Sequence, residues 1–422
     1  MRVVYPICCG IDVHKSFLVA TLITTRTGEL TPKYEKRRFS TFNRQILEMK
    51  NWLLENNCHH VCMESTGKYW VPVYNLLEDD INVVIANPKW VQAIKGNKDD
   101  VKDSKWIGDL FRFGMVPGSF IPDKDIRILR EFTRYRYKIT CMKSSEKNRL
   151  QNALTVCNIG LDSVVSDMFG VSSTKIRNYL LQTDEFDPDH CVSLLHGRMK
   201  SKSEQIIEAI EGYQFDPVQK TRIRFVDDHM TYLDQLLQKI DEQLSTLVQP
   251  LEPAIKLLCS IPGVKRKSAI YILSEIGTDM KQFSSSKRLC SWAGLTPGSN
   301  ESAGKKKSVR ISRAGVYLKP ALVQCAHAAV KDKKNPYYAL KYQRIYKRRG
   351  KKRAIIAIAR MMLTAVYQML KSGELWNPTD LFKIDMPTEL VEKQKRKAIK
   401  QAVKFLYSEG ILEHLQLDPS FA

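Results

Sequence analysis

Apolar residues open the chain in three short runs, VVYPICCGIDV, FLVATLITT and KYEKRRFST, parted by a few polar positions each. Closely spaced β-rich runs of this kind predict an antiparallel meander. The period then changes. In FNRQILEMKNWLLENN, residues Ile46, Leu47, Met49, Trp52 and Leu53 recur at helical spacing and are expected to form its buried side. Two further short apolar runs, HHVCMES and INVVIANP, flank the helical YWVPVYNLLED. The order three strands, helix, strand, helix, strand predicts an α/β layer over the first 120 or so residues.

From Asp123 to about Asn158 the pattern is one long helix, DKDIRILREFTRYRYKITCMKSSEKNRLQNALTVCN, in which Arg127, Arg130, Arg134, Arg136, Lys138, Lys143, Lys147 and Arg149 alternate with Phe132, Tyr135 and Tyr137. Such a helix can lie along a phosphate backbone, or it can be the solvated face of a structural element. A second helix follows in QKTRIRFVDDHMTYLDQLLQKIDEQLSTLVQPL. Its residues Ile223, Met230, Leu237 and Leu244 are seven apart, as are Val226, Leu233, Ile240 and Leu247. That spacing is a coiled-coil seam, favouring self-association, with folding back on the Asp123 helix as the alternative. Beyond Pro250, LLCSIPGVKRKSAIYILSEIG has the form of a helix-hairpin-helix, whose Pro262–Gly263–Val264 turn would offer backbone N–H groups to a phosphate, although a plain inter-helix turn reads the same. A Gly/Ser/Lys-rich loop and the basic segment KDKKNPYYALKYQRIYKRRGKKR come next.

Charge narrows the partners. Lys and Arg number 67 against 45 Asp and Glu, a formal net charge of +22 spread along all 422 residues, so a polyanion, above all nucleic acid, is the natural ligand. No apolar run approaches the roughly 18–20 residues of a membrane span, and MRVVYPICCG has no signal-peptide pattern, so a cytoplasmic protein is expected. The ten cysteines read as buried thiols of a reducing compartment. CHHVC at Cys58–Cys62 looks like a zinc set, but it lacks a second ligand pair and has strand character.

In so basic a chain the acids of NKDDVKDSKW are conspicuous. Asp100 and Asp103, three apart at the start of a helical stretch, share one face; Asp99 and Asp103 do so equally, and Asp99 alone could be an N-cap. Asp12 sits in the first apolar strand, where a carboxylate is costly unless a cation or hydrogen bonds hold it, and Glu64 ends another strand at VCMESTG. Two strand-borne acids and a helix-borne pair, on this element order, match an RNase H-like site holding two Mg²⁺ about 3.5–4 Å apart, with Mn²⁺ as a possible substitute.

GIDVHK at Gly10–Lys15, MESTGKYW at Met63–Trp70 and NPKWVQAIKGNKDDVKDSKWIGDLFRFGMVPGSFIP at Asn87–Pro122 resemble the DEDD transposases of bacterial insertion sequences, the IS-one-ten family. SIPGVKRKSA, CSWAGLTP, ESAGKKKS and RISRAGVYLKPALVQCA resemble that family's separate C-terminal transposase domain. The resemblance implies Asp12, Glu64, Asp100 and Asp103 as the metal-binding acids, departing at Asp99, where such proteins commonly have threonine. It implies a Holliday-junction-resolvase-like, RNase H-like N-terminal domain, donor and target DNA as substrates, a structured noncoding guide RNA, often called a bridge RNA, and a homo-oligomer, dimer or tetramer. It also implies a serine nucleophile, for which Ser302 in NESAGKKK is the matching position; by composition Ser299 and Ser308 are equal candidates.

Lys305, Lys306, Lys307, Arg310 and Arg313 around that serine, Lys265, Arg266 and Lys267 after the Pro262–Gly263 turn, and Arg134 and Arg136 are the expected nucleic-acid contacts. The expected division is residues 1–122 RNase H-like, 123–250 basic helical and coiled coil, 251–345 C-terminal transposase domain, mostly helical, and 346–422 basic helical tail. A metal nuclease or junction resolvase that uses water, and a non-catalytic RNA-binding protein, are the competing readings.

Overall fold

In the computed structural model, which describes residues 2–26, 31–65, 67–91, 100–183, 185–213, 215–298, 301–302, 305–306, 310–378 and 388–408, the first three apolar runs are strands. These are β1 (Ile7–Val13), β2 (Phe17–Thr24) and β3 (Lys33–Ser40), paired antiparallel. Then follow α1 (Asn43–Glu55), β4 (His60–Glu64), α2 (Trp70–Leu77), β5 (Asn82–Ala86), a short α3 (Pro88–Val91) and α4 (Asp100–Arg112). The sheet order is β3-β2-β1-β4-β5, with β4 parallel to both β1 and β5. This is one of two compact units, Met1–Pro122 and Asp123–Ala422.

The two faces of the sheet carry different cores. Cys9, Ile11, Val13, Val61 and Met63 point into the larger one with Ile46, Met49, Trp52 and Leu53 of α1 and Val73 and Leu77 of α2. Cys8 and Cys62 point the other way, against Ile107 and Phe111 of α4. Leu47, expected among the buried positions of α1, is 43% exposed. Residues 46, 49, 52 and 53 already complete the stripe that meets the sheet, and Leu47 falls beside it.

α4 is held against the sheet by close backbone approach. A Cβ added at Gly10 would lie 2.2 Å from the Ser104 carbonyl oxygen and 2.4 Å from the Gly108 amide nitrogen, so only glycine fits there. Ser104 itself is fully buried, its hydroxyl 2.8 Å from that of Thr21 on β2.

The second unit is helical. α5 (Lys124–Val156) is followed by four shorter helices, α6 (Leu161–Val164), α7 (Val171–Gln182), α8 (Pro188–Ser193) and α9 (Ser203–Glu208), and then by α10 (Pro217–Leu247). Asp216 caps α10 by accepting from the Val218 N–H at 2.7 Å, with Pro217 at the first helical position, and Asp187 caps α8 in the same way. The short helices bring Ile159, Leu161, Ile176, Leu180, Cys191, Leu195, Ile206 and Ile210 into one core with Leu150, Ala153 and Leu154 of α5 and Ile223 and Met230 of α10. α10 packs along α5, and the seam residues Ile223, Met230, Leu233, Ile240 and Leu244 are buried. The seam is therefore filled within the chain, by α5 and, at Ile223 and Met230, by the core of the short helices as well. What stays exposed is a second heptad series on each helix: Val218, Phe225 and Tyr232 on α10, and Ile128, Tyr135 and Met142 on α5.

The rest comprises α11 (Glu252–Cys259), α12 (Arg266–Ile276), α13 (Ser286–Trp292), the two-residue strands β6 (Glu301–Ser302) and β7 (Lys305–Lys306), α14 (Leu318–Ala329), α15 (Tyr337–Arg349), α16 (Lys351–Ser372) and α17 (Thr388–Ser408). Contrary to the sequence expectation, α16 is long and apolar enough to span a bilayer by length and composition. Ala354, Ile355, Ile358, Met362, Leu363 and Val366 are nevertheless buried, and the helix packs against α13, α14 and α15. It is the central core helix of this part of the chain.

Gly10→Ala is predicted to lower stability by about 3 kcal/mol or more, because the clash is with backbone at both contacts. Gly108→Ala meets the flexible end of Ile23 first, 2.6 Å away, and should cost less. Denaturant unfolding measures both. Equal, small losses would mean that α4 does not sit on β1.

Candidate active site

Asp12 and Glu64 occupy the C-terminal ends of adjacent strands. Ile11 pairs with Met63, so the next residues on β1 and β4 are these two acids. Strand alternation puts both on the Cys8/Cys62 face, the one that α4 covers. Asp12 is largely enclosed, its side chain 13% exposed, and its Oδ2 is 3.0 Å from Nε2 of His14. His14 stacks on Phe17 across the β1–β2 turn, with ring centroids 4.5 Å apart, and the Arg38 guanidinium lies 3.9 Å over the far ring. His14 escaped the sequence reading; its signal was the Asp-Val-His spacing at the edge of a hairpin. Glu64 is half-buried, and β4 ends where the Ser65 N–H donates to the Ala86 carbonyl at 2.9 Å.

On α4 the sheet-facing positions are Ser104, Ile107 and Phe111. Asp100, the first residue of the helix, and the half-buried Asp103 stand one turn before Ser104 and Ile107 respectively. Asp99 lies outside the described residues, as do Ser299, Ser308 and Lys307. Among the described residues no three His, Cys, Asp or Glu side chains converge closely enough to hold an ion. The donors nonetheless fit a hard divalent cation in kind: carboxylate oxygens on two neighbouring strand ends, and a further acid on the helix over that face. The thiols of CHHVC do not. Burial pushes Cys58 up to about 11 and Cys62 up to about 12, so both stay protonated, and Cys58 donates to the His60 carbonyl.

Ser302 lies in a two-residue hairpin, its backbone paired with Lys305, and Glu301 pairs with Lys306. The base of this loop is closed by a bridge between Pro297 and Ile311 and by the Gly298 N–H donating to the Arg310 carbonyl at 3.1 Å. Below the base, two glycines let the legs touch. A Cβ at Gly294 would meet the Ala314 oxygen at 2.4 Å, and one at Gly315 would meet the Ala293 oxygen at 2.2 Å. Lys319 locks the second leg by donating to the Ser312 and Ala314 carbonyls, both at 2.8 Å. The Ser302 hairpin is thus closed at its base by paired legs. Arg310 and Arg313 are exposed at the stem.

Other expected nucleic-acid contacts have partners within the chain. Arg134 makes a two-pronged pair with Glu275, at 2.7 and 2.8 Å, and Arg136 pairs with Asp241 at 2.5 and 3.0 Å. Arg130 donates to the Ser274 and Glu275 carbonyls at the end of α12, and burial pulls its guanidinium down to about 10. These arginines bolt α5 to α12 and α10, which removes Arg134 and Arg136 from the free phosphate-binding charges. Arg266 pairs with Glu252, and Lys267 reaches Asp241 at 3.4 Å, while Lys265 is exposed. The Pro262–Gly263 turn packs one side against α14, with Pro262 and Val264 buried and Gly263 half-buried. Gly263 has φ +85°, and a Cβ there would meet the Cys325 oxygen of α14 at 2.5 Å.

Carboxylates at neighbouring strand ends thus mark one unit, and a serine in a short hairpin marks the other. Family comparison makes this particular. Residues 9–159 match the DEDD-type IS110 transposase model, and residues 255–343 match the transposase model of the IS116/IS110/IS902 family. The chain belongs to the IS110 family of transposases, and so to the DNA transposase and recombinase enzymes. It is 29% identical over 385 residues to the pilin gene-inverting protein of Moraxella lacunata, covering 86% of this chain and 95% of that one. It is 26% identical over 174 residues to the transposase for insertion sequence element IS1111A of Coxiella burnetii, covering 40% of this chain and about half, 47%, of that relative.

The charge pairs generate a stability prediction. Glu275→Gln leaves two enclosed guanidinium groups without a counter-charge and should cost about 2–4 kcal/mol, discounted because Arg134 is partly exposed. Hydrogen bonds from Arg136 hold the Asp241 carboxyl below its usual range. A depressed carboxyl stabilises above its unfolded pKa and stops doing so as pH falls through its folded one. Asp241→Asn should therefore lower the melting temperature at pH 7, with the gap to the parent closing below about pH 4. A gap independent of pH would remove the charge pair from the account.

Proposed function

We propose that this transposase cuts and rejoins donor and target DNA with an RNase H-like DEDD centre formed by Asp12, Glu64, Asp100 and Asp103, and with Ser302 as the nucleophile. The observation that carries the reading is the seating of Asp12 and Glu64 side by side on the face covered by the helix that bears the other two acids. These four residues would hold Mg²⁺, with Mn²⁺ able to substitute. Bound there, divalent cations would supply Lewis-acid stabilisation of charge on the phosphate oxygens. His14 keeps the Asp12 carboxylate turned in the direction that its 3.0 Å contact fixes.

Ser302 Oγ attacks the scissile phosphorus. A phosphoserine ester forms, the bond from phosphorus to the departing sugar oxygen breaks, and that oxygen takes up a proton as the serine loses its own. The ester keeps the phosphodiester's energy for rejoining. Lys305, beside Ser302 in the hairpin, together with Lys306, Lys307, Arg310 and Arg313, neutralises phosphate charge. A structured noncoding RNA selects the DNA, consistent with the chain's net charge of +22. The enzyme acts as a homo-oligomer, for which the exposed heptad series on α5 and α10 offers a face.

With a nicked, non-rejoinable DNA the parent protein should form a denaturant-stable adduct, mapped by mass spectrometry to the NESAGK peptide. Ser302→Ala should lose the adduct and keep DNA binding. Asp12→Asn, Asp100→Asn and Asp103→Asn should each cut activity by at least about a hundredfold, and Asp99→Asn far less. If Ser302→Ala cleaves at the parent rate, water is the attacking group and the serine mechanism fails. Mixing Asp100→Asn with Ser302→Ala protein should restore activity if the two sites are shared between protomers.

A further inference from the structure

The densest charge on the chain lies outside everything so far assigned a role. Between Lys341 and Arg353 there are eight Lys and Arg and no Asp or Glu. α15 and α16 pack as a helical hairpin, and Gly350 makes the turn between them with φ +76°. A Cβ there would touch nothing within 4 Å, so the backbone conformation alone calls for glycine. The turn is tight: the Gly350 N–H donates to the Tyr346 carbonyl at 2.9 Å, and the Ala354 N–H to the Gly350 carbonyl at 3.1 Å. It brings Lys347, Arg348 and Arg349 to one end of α15 and Lys351, Lys352 and Arg353 to the start of α16, all six exposed. Among the described residues none of the six has a carboxylate at ion-pair distance, whereas Arg134, Arg136 and Arg266 all do.

Two features separate this tip from an ordinary solvated surface. First, the cations on α16 occupy the wrong end of a helix. The N-terminal turn already carries positive partial charge, and three further cations with no acid beside them are unfavourable until an anion arrives. Second, aromatic faces adjoin the charge. Tyr342 and Tyr346 stack with centroids 5.7 Å apart and planes 25° from parallel, and Tyr346 is 49% exposed. At spacings of four and three, Tyr342, Tyr346 and Arg349 share one side of α15.

We infer that the α15–α16 tip, from Tyr342 to Arg353, is a docking surface for an unpaired stretch of RNA. Its bases stack on Tyr346 and its phosphates lie over the turn at Gly350. A duplex would satisfy the cations but leave the tyrosines without a partner, since paired bases hide their faces; unpaired segments are the normal state of RNA loops. The inference rests on the reading that an RNA is a partner of this enzyme, and it assigns that partner a place.

The test uses the full-length protein and fluorescence anisotropy with an oligouridine, an oligothymidine and a DNA duplex. Replacing Arg348, Arg349 and Lys352 together by Gln should weaken oligouridine binding at least tenfold and flatten its dependence on log salt by about two, at about 0.7 per phosphate contact. Tyr346→Ala should weaken oligouridine about tenfold and leave the duplex unchanged. Both variants alter exposed side chains and should melt with the parent. Parent-like oligouridine binding by both variants would overturn the surface while leaving RNA as a partner. No oligouridine binding by the parent would overturn both. Oligothymidine held as tightly and weakened as much would reassign the patch to unpaired DNA, and a loss shared by the duplex with Tyr346→Ala silent would make it a plain cationic face; either result overturns the RNA assignment.

Discussion

The N-terminal unit depends on one steric constraint, the contact of backbone with backbone where β1 meets α4 at Gly10 and Gly108. Helices normally stand about 10 Å from a sheet because side chains fill the gap. Here the side chains are missing at the crossing point, and the helix descends until amide and carbonyl groups meet. The consequence is chemical. Asp12 is two residues beyond Gly10 on the strand, and Asp103 is five residues before Gly108 on the helix. The crossing fixes the spacing of the elements that carry the acids, and the buried Thr21–Ser104 hydrogen bond fixes their register.

The second unit treats its positive charge in two ways. Where arginines fall between helices they meet acids: Arg130 and Arg134 share Glu275, Arg136 pairs with Asp241, and Arg177 with Asp227. Such pairs orient α5, α10 and α12, and taking them apart is expensive because the partner left behind stays enclosed. Where cations fall on turns and tips, as at Arg313 and Lys347–Arg353, they stand exposed. Part of the excess of +22 therefore stands at exposed positions, where a polyanion can reach it.

Much of the fold was legible in the residues. α1, α2, α5 and α10 follow from helical periodicity, and the strands follow from short runs set between polar breaks, largely apolar in β1, β2 and β4 because both faces of the sheet are covered. Three things were not legible. Heptad spacing in α10 defines a seam but not its partner, and α10 packs along α5. The cluster α6–α9 is made of helices too short to show a period, and its stability comes from tertiary burial around Ile176 and Ile206. Charge, finally, reads the same whether paired or free, so Arg134 and Arg136 looked like Lys265 and Arg313 until their neighbours were in view. The acids at Asp12 and Glu64 were legible because a carboxylate inside an apolar strand contradicts its surroundings, whereas His14 sits on a half-polar hairpin edge and contradicts nothing.

The central claim is that β1, β4 and the start of α4 surround one centre for two divalent cations. Iron-mediated hydroxyl-radical cleavage of the protein itself tests it most directly. With Fe²⁺ and a peroxide source, the account predicts backbone cuts clustered near Asp12, near Glu64 and near Asp100–Asp103, all suppressed together by excess Mg²⁺. Cuts at only one of these segments, or cuts elsewhere that Mg²⁺ suppresses, would contradict it.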